Sequence, residues 1–148
     1  MMNSTATAAA AVDLVKVYGR GDNAVRALDG VSVSFPPQTF SAIMGASGSG
    51  KSTLMHCLAG LDTATSGRAM LGQTDLTRLS DRVLTKVRRE RIGFVFQAFN
   101  LLPTLSAEKN ITLPLDLAGK RPDKSWMNAL VDVLGLKTRL DHRPSEMS

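Results

Sequence analysis

Residues Gly45-Ala46-Ser47-Gly48-Ser49-Gly50-Lys51-Ser52 match the phosphate-cradling pattern G-x-x-x-x-G-K-[ST] at every fixed position. The chemistry follows from the residue types. Glycines let the main chain bend until its N–H groups converge on a polyphosphate. Lys51 adds a cation able to reach the β- and γ-phosphates, and the Ser52 hydroxyl is placed to ligate Mg²⁺. Such a loop must be held by its neighbours. Upstream, Phe40-Ser41-Ala42-Ile43-Met44 is a short, largely apolar run suited to a buried strand. Downstream, residues 51–61 are rich in helix formers, with Leu54, Leu58 and Leu61 at helical spacing. Strand, glycine loop and helix, in that order, aim a helix N-terminus at an anion. A flexible Gly/Ser linker would not be followed by Lys-Ser and an amphipathic helix. The segment is a nucleotide site.

The chain has 148 residues, enough for one domain with a core, and its 43% hydrophobic and 21% charged residues are ordinary for a globular protein. No apolar run approaches bilayer-spanning length. Residues 1–11 are Ala/Ser/Thr-rich without a basic segment or a Leu-rich stretch, which points to a disordered leader rather than a signal peptide. Cys57, the single cysteine, excludes disulfides and Cys-based metal sites within one chain and suits a reducing compartment. Part of the net charge of +5 gathers in Arg82, Lys86, Arg88, Arg89 and Arg91. A nucleic-acid or anionic-lipid surface is one reading, and a solvated helix face the favoured one. No aromatic residues interleave to stack bases, so no nucleic-acid partner is expected.

Along the chain, residues 12–17 and 27–35 predict two strands joined by the polar turn Gly19-Arg20-Gly21-Asp22-Asn23 and closed by Pro36-Pro37. With no helix between them, they should pair antiparallel. Residues 68–71 predict a short strand ending at Gly72, Ser80 a helix cap, and residues 92–96 a second buried strand ending at Gln97. Residues 106–117 have helical character broken by Pro114. Asp123 can cap a helix over 124–134 whose Trp126, Leu130 and Leu134 form a packing stripe, with Gly135 as its stop.

With these features placed, the chain from Val12 onward resembles the nucleotide-binding subunit of an ABC transporter, most of all the branch serving lipoprotein-release and macrolide or peptide export. The resemblance is carried by Tyr18, Ala27-Leu28-Asp29-Gly30-Val31, Ile43-Met44-Gly45, Gly48 through Leu54, Leu61-Asp62 and Ser66-Gly67. It continues in Ile92-Gly93-Phe94-Val95-Phe96-Gln97, Phe99-Asn100-Leu101-Leu102-Pro103, Asn110-Ile111, Leu113-Pro114-Leu115 and His142-Arg143-Pro144.

The resemblance implies an α/β fold: an incomplete P-loop NTPase (RecA-like) core, with an N-terminal antiparallel β-subdomain and the beginning of a helical subdomain. The β-subdomain and the P-loop half of the core would occupy residues 12–97, and the Q-loop and partial helical subdomain residues 98–148. It implies ATP and Mg²⁺ as ligands, with Gly45, Ala46, Ser47, Gly48, Ser49, Gly50, Lys51, Ser52 and Thr53 around the phosphates. Tyr18 looks like the residue that stacks on adenine; the plain alternative is a strand-end tyrosine. Gln97 looks like the Q-loop glutamine that, with Ser52, approaches Mg²⁺ and the attacking water. Lys51 and Gln97 would be the catalytic contributors present. Residues 97–117 would receive a transmembrane permease subunit, a second ATP-binding subunit would complete a dimer, and the protein would sit peripherally on the cytoplasmic face of the inner membrane. His56 and His142 match no catalytic position and are expected to be structural.

Ala46 stands where proline is common in the family, Pro37-Gln38 where Gly-Glu is usual, and Lys109 where an acidic residue is frequent; none of these removes a phosphate ligand. Met147-Ser148 resembles the first two residues of the signature Leu-Ser-Gly-Gly-Gln. The rest of the signature, the Walker B Asp, the catalytic Glu and the switch His have no counterpart in these residues. Asp116 and Asp132 are not credible replacements. The 148 residues are therefore expected to be catalytically incomplete by themselves, with apolar strand edges exposed; the other reading is a non-catalytic remnant that binds nucleotide weakly or serves only in an interaction.

Overall fold

A computed structural model describes residues 7–147. They fall into two compact units that divide within the chain between Arg88 and Arg89. Each unit is described by itself.

The first unit is built on a four-stranded sheet in the order β2-β1-β3-β4, comprising β1 (Ala9–Tyr18), β2 (Val25–Phe35), β3 (Ser66–Leu71) and β4 (Thr74–Asp75). All three pairings are antiparallel, as expected for β1 and β2, which have no helix between them. The turn between β1 and β2 contains a short 3₁₀ segment, Gly21–Asn23, and β2 stops at Phe35, immediately before Pro36-Pro37. β1 begins three positions before the expected start. Ala9, Ala10 and Ala11 pair with both β2 and β3, so they are sheet and not leader. Small side chains suit this central strand, which has a neighbour on each side. Residues 1–6 of the expected leader lie outside the described residues, as does Ser148.

β1 is irregular at Asp13, where the register shifts against both neighbours and φ is +46°. The Asp13 N–H donates to Ser32 Oγ (2.8 Å), and that hydroxyl donates back to Asp13 Oδ1 (3.0 Å). Opposite the irregularity stands Gly67, where any β-carbon would overlap the Asp13 carbonyl. A side chain there would push β3 off β1.

The helix α1 (Lys51–Leu58) lies with the sheet around one core of Ala11, Leu14, Leu28, Leu54, Cys57, Leu58, Ala69 and Leu76. Leu54 and Leu58 are buried as their spacing predicts. Leu61 is not part of that face, because α1 ends at Leu58 and the chain turns through Gly60, whose φ is +64°. α2 (Asp81–Arg91) follows Ser80, whose carbonyl accepts the Leu84 N–H (2.8 Å). Arg88 anchors α2 to the end of α1 by donating to the Gly60 carbonyl (2.6 Å), while Arg82, Lys86 and Arg89 are exposed.

Two expected strands are absent. Residues 40–44 and 92–96 carry no ladder, and Phe40 is 98% exposed, Met44 87% and Val95 102%. A buried parallel strand needs partners along its edges. The four strands present pair with one another, and no described segment offers these two runs a ladder. Ile43 alone of its run packs against the core.

In the second unit α3 (Ala107–Leu117) begins at Ser106, whose hydroxyl accepts the Lys109 N–H. Backbone N–H groups of Ala107 and Glu108 donate to the carbonyls of His142 (2.8 Å) and Leu140 (3.0 Å), so these later residues complete the helix start. The helix is not broken at Pro114. That residue lies on the exposed face near the C-terminal end, where loss of one backbone donor is tolerated. α4 (Lys124–Val133) is capped as expected by Asp123, which accepts the Trp126 N–H (2.9 Å). It ends in a Schellman turn in which Leu136 N–H reaches the Val131 carbonyl (2.9 Å) and Gly135 takes φ +65°. The packing face of α4 differs from expectation. Val131 is buried and Met127 half-buried, whereas Trp126, Leu130 and Leu134 are exposed. The inward face is rotated by one residue, a distinction that an apolar stripe this wide leaves open.

Candidate nucleotide-binding site

The glycine loop enters α1 through Gly50, whose φ of +86° is left-handed and whose missing β-carbon leaves room for the Ala27 carbonyl. No side chain caps this helix. The first backbone bond of the turn runs from Leu54 N–H to the Gly50 carbonyl (2.8 Å), so the preceding N–H groups at Lys51, Ser52 and Thr53 come before any α-helical bond. These donors and the positive end of the peptide dipoles meet at one point.

Around that point lies an open concavity of about 250 Å³ lined by Ala27 and residues 47–53. It gathers Ser47, Gly48, Ser49, Gly50, Lys51, Ser52 and Thr53 in one wall, while Gly45 and Ala46 complete the loop behind it. Lys51 Nζ is folded back on the loop, donating to the Ala46 carbonyl (2.5 Å) and to Ser49 Oγ (3.4 Å). The ammonium is thereby parked beside the cradle on a neutral acceptor, from which an anion can draw it. Ser52 is exposed and presents a hard oxygen donor. No group of three or more His, Cys, Asp or Glu side chains among the described residues can hold a metal.

Tyr18 ends β1 and belongs to a different cluster. Its phenol donates to Asp62 Oδ2 (2.5 Å), and Lys16 Nζ sits 4.7 Å from its ring centroid. Lys16 also pairs with Asp62 Oδ1 (2.5 Å) and donates to the Thr63 carbonyl (2.7 Å). The bond to Asp62, with burial, raises the Tyr18 phenol above its ordinary range, against a lowering hydrogen bond from Thr53. The Asp62 bond likewise raises Lys16 against opposing desolvation. Desolvation pushes the Asp62 carboxyl up, but the bonds from Lys16 and Tyr18 outweigh it and hold the group below its ordinary range. Sequence reasoning misses Lys16 and the bond from Tyr18 to Asp62. Asp62 stands among the residues that carry the family resemblance, but Lys16 offers no signal in one sequence.

Gln97 lies in the second unit, exposed, in a bend after the run 92–96. Phe94 and Phe96 stack beside it with centroids 5.5 Å apart. The following segment is ordered by Asn110, whose Oδ1 accepts the Leu102 N–H (2.8 Å) and whose Nδ2 donates to the carbonyls of Leu102, Leu105 and Ser106. His56 and His142 are exposed; His142 contributes its main chain to the start of α3. Cys57 is buried, and burial raises its thiol pKa, which removes it as a nucleophile. Among the described residues no helix is long and apolar enough to cross a membrane.

The sequence profile described as "ABC transporter" matches residues 28–148. The chain is 43% identical over 139 residues to an ABC transporter ATP-binding protein of Thermotoga maritima, covering 93% of this chain and 59% of that protein. It is 42% identical to the lipoprotein-releasing system ATP-binding protein LolD of Geobacter metallireducens, over 93% of this chain and 62% of LolD. It is 45% identical to the macrolide export ATP-binding/permease protein MacB of Brucella abortus, over 92% of this chain and 21% of MacB. Among solved structures, the ATP-binding cassette MJ0796, a dimer in a post-hydrolysis state bound to ADP and Pi, superposes with a TM-score of 0.80 at 34% identity, over 95% of this chain and 63% of that one. The chain therefore spans less than two thirds of each of these proteins.

Proposed function

The chain belongs to the ABC transporter family, and we propose that it supplies the ATP-binding part of an export or lipoprotein-release transporter. The observation that carries this reading is the cradle at the start of α1, where uncapped helix N–H groups, a glycine loop and Lys51 surround one concavity. Gly45, Ala46, Ser47, Gly48, Ser49, Gly50, Lys51, Ser52 and Thr53 bind the phosphates, through backbone donors and the Lys51 ammonium. Tyr18 takes the adenine. Ser52 and Gln97 are the residues that would hold Mg²⁺, which when bound neutralises phosphate charge. Gln97 orients water as a neutral amide.

The names of LolD and MacB support a role in moving molecules across or out of a membrane, and the dimeric cassette supports pairing with a second ATP-binding subunit. Residues 97–117 are the docking segment for a permease subunit, which places the protein peripherally on the cytoplasmic face of the inner membrane. Exposed Leu101 and Leu102 suit that use.

By themselves these 148 residues do not turn over ATP. Phosphoryl transfer to water depends on positioned charge around the metal, and no Asp-Glu dipeptide is present to supply a metal carboxylate beside a general base. Titration with a fluorescent ATP analogue tests the binding claim: Mg²⁺-dependent binding that is lost in Lys51→Ala supports it, and binding indifferent to Lys51 refutes it. Steady-state phosphate release tests the second claim, which fails if turnover is seen in this chain and vanishes in Lys51→Ala.

A further inference from the structure

We propose that Lys16 and Asp62 are positioning residues that hold the Tyr18 ring as a one-sided platform for the nucleobase. The proposal rests on the reading of Tyr18 as the base-stacking residue and adds what makes the ring usable.

A tyrosine at a strand end, 41% exposed, would ordinarily turn about its side-chain bonds. Here it has two independent restraints. The phenol is tied to Asp62 Oδ2, and the Lys16 ammonium covers one ring face at 4.7 Å from the centroid. Lys16 cannot easily leave that face, because Asp62 Oδ1 and the Thr63 carbonyl both hold it. A base can then stack only on the opposite face.

The clamp is itself anchored. Thr65 Oγ1 accepts the Val17 N–H (2.9 Å), and the Thr65 N–H reaches the Val15 carbonyl (2.8 Å), which fastens the segment after Asp62 to β1. On the other side, the N–H groups of Leu61 and Asp62 both donate to the His56 carbonyl in α1 (2.8 and 3.2 Å). Thus α1 carries the phosphate cradle at its N-terminus and the anchor of the Tyr18 clamp at its C-terminus. One helix therefore sets the spacing between the base platform and the phosphate cradle. A ring fixed beforehand loses little entropy on binding, which is what makes a stacking contact productive.

Tyr18 is the only tyrosine in the chain, so ultraviolet absorbance reads its ionisation directly. Asp62→Asn removes the acceptor charge and lowers the pH at which the phenol ionises; Lys16→Met removes the nearby cation and raises it. If neither variant moves the ionisation, the clamp is overturned. Binding is read by displacement of a fluorescent ATP analogue with ATP and, separately, with inorganic tripolyphosphate. Both variants weaken ATP by roughly fivefold to tenfold, the lower end of one stacking contact, and leave tripolyphosphate unchanged. Equal losses for the two ligands would mean mere structural support and overturn the proposal. Tyr18→Ala separates the proposal from its premise. If that variant leaves the preference for ATP over tripolyphosphate intact, or the unmodified chain has no such preference, base stacking on Tyr18 is itself wrong. If Tyr18→Ala abolishes the preference while the two clamp variants keep it, stacking stands and the positioning role falls.

Discussion

Gly50 faces the carbonyl of Ala27 so closely that a β-carbon at position 50 would overlap its oxygen and come within 3.2 Å of the Leu28 side chain. The contact joins β2 to the first turn of α1, and so makes the position of the glycine loop a property of the sheet. Gly50→Ala meets both this overlap and a φ of +86°. The expected cost is about 2 kcal/mol or more, read from a lowered urea midpoint at unchanged m-value. Gly48→Ala is the comparison: its φ is +76°, but nothing lies within 4 Å of the added carbon. It should lose only the conformational part, about 1 kcal/mol.

Lys51 contacts its own loop through the Ala46 carbonyl and Ser49 Oγ, with no role in the core. Lys51→Met should therefore leave thermal unfolding within about 0.5 kcal/mol of the parent. It should weaken ATP binding by roughly tenfold to a hundredfold, the range of one charge-assisted hydrogen bond. Calorimetric titration beside a melting curve checks both. A large loss of stability would show the lysine to be structural.

Much of this site is legible in the amino-acid sequence. The fixed spacing from Gly45 to Ser52 specifies a local geometry, and so do Asp123 before α4 and Gly135 after it; each involves residues within a few positions of one another. The departures from expectation are of another kind. Residues 40–44 and 92–96 have strand composition, but a strand exists only where another chain segment completes its ladder. The inward face of α4 depends on what it packs against, so periodicity alone cannot rank Val131 against Trp126. The Tyr18–Asp62 bond joins positions 44 residues apart. Nothing local to either residue announces it.

The Lys16–Asp62–Tyr18 cluster gives stability a defined pH window. Asp62 ionises in the folded chain below its ordinary value of about 4. Its contribution is present above the unfolded pKa and is lost as pH falls through the folded one. Lys16 and Tyr18 are both raised. Their contributions are present below their unfolded pKa values, about 10, and are lost as pH climbs through the folded ones. The melting-temperature gap between the parent and Asp62→Asn should be widest near pH 6–8 and close below about pH 4. A gap that does not change with pH would mean that the Asp62 charge has no part in it.

Asn110 satisfies four backbone groups of the segment 102–106 with one amide. Replacing it with Leu leaves the Leu102 N–H and three carbonyls without that partner, at an expected cost of about 1–3 kcal/mol. Asp at this position keeps the acceptor for Leu102 but has no donors, so it should recover only part of the loss. Hydrogen exchange at the Leu102 amide distinguishes them: fast in Asn110→Leu, intermediate in Asn110→Asp. Equal protection in all three would place the order of this segment elsewhere.

Val95 is fully exposed within an apolar run that has no ladder partner, and Phe40 and Met44 are nearly so in another. Unpaired edges of this composition template pairing between copies of a chain. Val95→Lys removes no packing contact, since nothing covers the side chain, and should change unfolding stability by no more than about 0.5 kcal/mol. It should nevertheless slow aggregation, because a charge on an open edge must be desolvated before a second chain can pair with it. Met44→Lys should act in the same direction, whereas Ile43→Lys should not be tolerated, because Ile43 packs against the core. Light scattering during warming, set beside denaturant unfolding of the same variants, separates the effects. If Val95→Lys lowers stability as much as Ile43→Lys does, the run 92–96 is packed rather than open, and its exposure is not the source of self-association.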